Sequence, residues 1–63
     1  MVHEETKDAI RKHLEQLRGA TKPMDVLAIA NLSHPESDEQ LKQLEVFICE
    51  EGRKIGVPLA GCC

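Results

Sequence analysis

Apolar positions along this chain fall into three groups separated by short polar or proline-containing breaks. The most regular group lies between Ser37 and Gly56, where Leu41, Leu44, Ile48 and Ile55 recur at offsets of three, four and seven, with Phe47 beside them. That spacing defines one face of a helix, not the alternation of a strand. Val46 and Cys49 widen the stripe, which predicts contact with more than one neighbour. Ser37 followed three residues later by Gln40 fits a capping box, as does Ser33 with Glu36, but the apolar pattern begins only at Leu41 and so favours Ser37. Gly56 and then Pro58 form a terminator. Gly52 costs about 1 kcal/mol in a helix interior relative to alanine, so an end at Glu51 competes with a helix over the full 37–55; we expect the longer one.

The first group, Ile10, Leu14 and Leu17, gives a narrower face on a helix over about 3–18, with Ala9 and His13 at its margin. Gly19 is placed to cap it. Thr21 and Pro23 then read as the N-cap and first turn of a second helix over 22–32. That segment is apolar nearly all round, as expected of a central element, and its competing reading is a buried strand over VLAIANL. His34-Pro35 breaks the pattern, and the tail 57–63 is short and apolar, free to fold back or to fray. The expectation is an all-α chain: one small three-helix, bundle-like domain spanning 1–63, with a long third helix.

Charge reinforces the helix limits. Glu36, Asp38 and Glu39 stand at the start of the third helix and Arg53 and Lys54 at its end, in the sense the helix dipole favours. Asp8 with Lys12, Asp38 with Lys42, and Glu50 with Lys54 are acid-first pairs four apart, each contributing roughly 0.2–0.5 kcal/mol. The net charge of −3 is uneven: residues 36–63 carry six acidic and three basic side chains, and the rest of the chain is balanced. No basic run marks a nucleic-acid surface, so the acidic balance disfavours that partner. No apolar run is long enough for a membrane span and no signal-peptide pattern opens the chain, which makes the cytoplasm the default compartment.

A chain of 63 residues buries only about 60% of the surface its unfolded form exposes. Phe47 is the single aromatic residue, so the core rests on smaller side chains. Association, with its own copy or with another protein, is the expected source of the missing burial. Leu44, Val46, Phe47 and Ile55, with Leu59 in the tail, are the candidate contact residues, and Phe47→Ala would cost roughly 3–5 kcal/mol if the ring were fully buried.

Candidate chemistry is sparse. His3, His13 or His34 with Cys49 would make a nucleophile and base only if folding brought them together, and a helical cysteine among apolar residues is more often a small core residue. Cys62 and Cys63 are adjacent, whereas zinc ligands are spaced by two to four residues. Three cysteines make an odd count without a framework, which predicts free thiols. Glu45, Glu50 and Glu51 read as a solvated face, and there is no phosphate loop and no metal motif. No cofactor and no enzymatic activity are expected.

Two resemblances remain. The terminal Cys62-Cys63 resembles the lipid-modified end of Rab-type small GTPases, but no nucleotide-binding loop precedes it. The stretch from Leu14 to Leu32, LEQLRGATKPMDVLAIANL, resembles the opening of winged-helix and helix-turn-helix domains, in which two helices precede a recognition helix. That resemblance implies a dimeric, DNA-binding transcription regulator with Lys22, Lys42, Arg53 and Lys54 on phosphates. It departs from the pattern where Glu36, Asp38 and Glu39 open the recognition helix and where no wing hairpin follows Gly56. The leading expectation is a non-enzymatic interaction or regulatory module, with the DNA-binding regulator as the alternative. A third reading is an acidic antagonist presenting Glu36, Asp38, Glu39, Glu50 and Glu51 to a basic partner.

Overall fold

The computed structural model describes residues 3–62, which are mostly helical. In chain order the elements are α1 (Glu4–Gln16), β1 (Met24–Asp25), α2 (Val26–Asn31), α3 (Asp38–Ile55) and β2 (Leu59–Ala60). α1 and α2 both pack on α3, and the two short strands pair in parallel, Met24 opposite Leu59 and Asp25 opposite Ala60. The strand pair is a departure from the all-helical expectation.

α3 owes its limits to its own sequence. Ser37 is the N-cap, its hydroxyl accepting from the Gln40 backbone N–H at 3.2 Å. The Gln40 side chain accepts from the Glu36 N–H at 2.9 Å, one residue beyond Ser37, the usual capping-box partner. The helix continues through Gly52 and ends at Ile55. Gly56 takes the left-handed conformation (φ 93°), and the Gly56 and Val57 N–H groups both donate to the Gly52 carbonyl at 2.8 Å. This doubly satisfied carbonyl closes a Schellman-type end.

The second helix begins later than Thr21 and Pro23 suggest. Proline at 23 biases Lys22 to extended backbone, and the Met24 N–H is committed to the Pro58 carbonyl at 3.1 Å. The N-cap is Asp25, whose carboxylate accepts from the Leu27 N–H at 2.9 Å. Asp25 therefore ends a strand and starts a helix. α1 likewise stops at Gln16, and residues 17–19 form a turn that Gly19 closes in the left-handed region (φ 88°). The ion pairs form at spacings of three instead of four: Asp8 with Arg11 at 3.1 Å and Glu51 with Lys54 at 3.7 Å.

Eight apolar residues make the core: Ile10 and Leu14 from α1, Val26, Ile29 and Ala30 from α2, Leu44 and Ile48 from α3, and Val57 after it. Among the described residues no polar or charged side chain is buried. The tail is anchored three times. Val57 is buried, β2 pairs with β1, and Cys62 is joined to Cys49 by a disulfide with its Cα atoms 5.8 Å apart. This bridge replaces the free thiols expected at both positions. Pro58 and β2 turn the chain back along α3, and Cys49 stands on the side of the helix that the returning tail meets. The bridge spans a sequence separation of 13 residues and encloses the end of α3, Val57 and β2.

Gly52 is buried because Leu59 lies on it: a Cβ there would overlap Leu59 Cδ1. Alanine at 52 would gain about 1 kcal/mol of helix propensity and lose the seating of Leu59, so the two positions are coupled. In denaturant unfolding, Leu59→Ala should cost about 1 kcal/mol less in a Gly52→Ala background than in the wild type. Equal costs in the two backgrounds would show that Leu59 does not rest on Gly52.

Candidate interaction surface between the first and third helices

α1 and α3 meet along a seam organised by one aromatic ring and one ion pair. Phe47 projects from α3 and is half-buried. From α1, one turn apart, the Lys7 ammonium lies 5.7 Å and the Arg11 guanidinium 5.4 Å from the ring centroid, both within cation–π range. The Arg11 Nε–H also donates to Glu51 Oε1 at 2.8 Å, and its Nη1 to Asp8 at 3.1 Å. Glu51 is only 13% exposed and receives Lys54 on its other oxygen. The Arg11 hydrogen bond, reinforced by the charges of Lys54 and Arg11 and opposed by desolvation, holds the Glu51 carboxyl below its ordinary range; the same bond holds Arg11 above its own.

Above this seam, toward the start of both helices, the surface opens into a groove of about 880 Å³. Its apolar floor is Val46 and Phe47. Its rim carries the basic Lys7 and Lys42 interspersed with the acidic Glu4, Glu39 and Glu50, and Lys7 pairs with Glu4 at 3.6 Å. Val46 is 57% exposed, an unusual investment for a branched apolar side chain in mid-helix. Leu27 on α2 and Leu32 just after it are also exposed, and Leu32 borders a smaller cleft between α1 and α2 with Ile10 and His13.

The candidate contact residues divide accordingly. Val46 and Phe47 line the groove. Leu44 is 4% exposed and belongs to the core. Ile55 and Leu59 are half-buried against that core, Leu59 at the far end of α3 on Gly52. Of the candidate phosphate contacts, Lys22, Lys42 and Arg53 are exposed, while Lys54 is engaged by Glu51. Lys22 stands in the loop before β1, Lys42 on the groove, and Arg53 in clefts beside the disulfide, so the structure does not gather them into one site. His3 and His34 share a small cleft near the start of α3, remote from Cys49, whose sulfur is bonded to Cys62. Among the described residues no three His, Cys, Asp or Glu side chains group as a metal site. No helix there is long and apolar enough to cross a membrane. Lys7, Arg11 and the pairing of Arg11 with Glu51 were missed from sequence; the spacing of Lys7 and Arg11 by one turn was the available signal.

No protein-family model matches the chain, and comparison with curated proteins and with solved structures finds no match.

Because Phe47 is only half-buried, Phe47→Ala should cost about 2 kcal/mol in chemical denaturation, below the cost of a filled core site. The Glu51 pair gives a pH dependence of definite sign. A carboxyl held low in the folded state stabilises it above the ordinary glutamate value of 4.5 and loses that contribution as pH falls through the lowered folded value. Wild type should therefore melt above Glu51→Gln at neutral pH, and the difference should shrink as pH falls below 4.5 and vanish once it lies below the lowered folded value. A difference independent of pH would mean that the carboxylate charge contributes nothing.

Proposed function

We propose that the chain is a non-enzymatic protein-binding module that works through the groove between α1 and α3, with a second copy of itself as the first partner. The observation that carries this reading is Val46, more than half exposed beside the half-buried ring of Phe47 on the floor of that groove. Burying such a patch supplies the area that a core of eight aliphatic residues lacks. The rim suits a two-fold pairing. It carries basic and acidic side chains together, so an isologous contact can set Lys7 and Lys42 of one copy against Glu39 and Glu50 of the other. The small three-helix, bundle-like arrangement expected from sequence would leave this face of α3 uncovered.

The DNA-binding alternative draws less support. Its four basic residues are scattered, one of them is already paired, and Asp38 and Glu39 head α3. The antagonist reading keeps Glu36, Asp38, Glu39 and Glu50 as exposed groups, while Glu51 is taken up within the fold.

Sedimentation equilibrium over a micromolar range tests the proposal. Wild type should approach twice the monomer mass. Val46→Asp should remain monomeric with its unfolding free energy changed by no more than about 0.5 kcal/mol, the usual scale of a surface substitution. Wild type that stays monomeric throughout the range would remove self-association. Unaltered mass in Val46→Asp would remove the groove.

A further inference from the structure

The second feature of α3 that stands open to solvent is the disulfide itself. Cys49 and Cys62 are both half-buried. They border a cleft of about 230 Å³ with Arg53, Val57 and Leu59, in which Arg53 is the one charged lining residue, and Cys49 borders a second cleft with Arg53, Glu45 and Glu50. Arg53 follows Cys49 by one helical turn, the spacing that makes side chains neighbours on a helix surface. It is exposed and forms none of the structure's ion pairs among the described residues. A disulfide with solvent access and an adjacent cation has what exchange requires: a path for an attacking thiolate and a charge to stabilise the departing one.

What the bridge restrains is equally specific. It fixes Cys62, two residues beyond β2, to the middle of α3. Between the two cysteines lie Leu59, seated on Gly52, and Pro58, whose carbonyl accepts the Met24 N–H. α1 and the greater part of the core lie outside this loop.

We infer that the Cys49–Cys62 disulfide is a thiol–disulfide exchange site for a dithiol reductant, and that its reduction releases the C-terminal strand from α3 and β1 while the helical core stays folded. One thiolate of the dithiol attacks Cys62 Sγ from the Arg53 cleft. The Cys49–Cys62 bond breaks, Cys49 departs as a thiolate beside Arg53, and a mixed disulfide joins Cys62 to the reductant. The second thiol of the reductant, deprotonated, then attacks its own sulfur in that mixed disulfide and expels the Cys62 thiolate. Two electrons pass to the protein, the dithiol becomes a disulfide, and its two protons end on the protein thiols once both are neutral. Release of the strand opens the Met24 N–H to solvent and uncovers the Gly52 face of α3, a surface distinct from the groove.

The test uses the 63-residue chain and its Cys63→Ser variant, with dithiothreitol as the dithiol. Purified without reductant, Cys63→Ser should show no free thiol, and two after treatment. Hydrogen exchange at the Met24 amide should then quicken about tenfold or more, while the Ile48 amide in the middle of α3 changes by less than about twofold. Arg53→Ala should slow reduction at fixed pH by about threefold or more, and Arg53→Lys should restore most of the rate. Two free thiols before reduction would overturn the assignment. So would an unchanged Met24 amide, or Met24 and Ile48 rising together, which would make the bridge a staple of the whole fold. Equal reduction rates in wild type and Arg53→Ala would overturn the exchange site.

Discussion

The face of α3 that carries Leu44, Ile48 and Gly52 is the surface on which every other element closes. α1 brings Ile10 and Leu14 to it, α2 brings Val26, Ile29 and Ala30, and the returning tail brings Val57 and Leu59. All of these are aliphatic, so the burial that holds the fold is non-directional and roughly proportional to area. Direction comes from elsewhere. The Arg11–Glu51 ion pair fixes how α1 lies along α3, and the disulfide fixes where the tail lies. With a core this small, contributions of a few kcal/mol are a large share of the whole.

Much of this was legible in the sequence wherever the signal was local. The cap at Ser37, the apolar spacing from Leu41 to Ile55 and the left-handed glycine at 56 all act within one or two turns, and α3 begins and ends where they say. The second helix was legible as a helix but not in its start, because Thr21-x-Pro and Asp25 are both good caps. What decided between them was the pairing of Met24 with the Pro58–Leu59 segment, which no window around residue 24 contains. The bridge between Cys49 and Cys62, and the reach of Arg11 across to Glu51, are contacts of the same long-range kind. An odd cysteine count without a spaced framework argued for free thiols, and nothing near Cys49 in the sequence says that the tail returns to it.

The candidate surface was legible in half. Val46 and Phe47 widen the apolar stripe beyond what one neighbour can cover, and the groove is where that excess emerges. Leu44 and Ile55 belong to the same stripe, yet they sit where the chain's own elements already cover it, and Leu59 is part of the tail that does the covering. A stripe read from spacing says how much apolar surface a helix carries, not which part its own chain will cover. The groove and the disulfide use neighbouring turns of one helix, and Val46 borders both the groove and a cleft beside Cys49. A rigid element that serves two surfaces can transmit a change at one to the other only if it moves, and α3 is held along its length by the core.

The parallel pairing of β1 with β2 reaches across much of the chain. Parallel strands cannot be joined by a tight turn, and here all of α2 and α3 lies between Met24 and Leu59. Loop closure over such a span is costly, and two residues a side repay little of it alone. The two-residue strands thus act less as a part of the architecture than as its clasp, fastening the segment before α2 to the tail after α3.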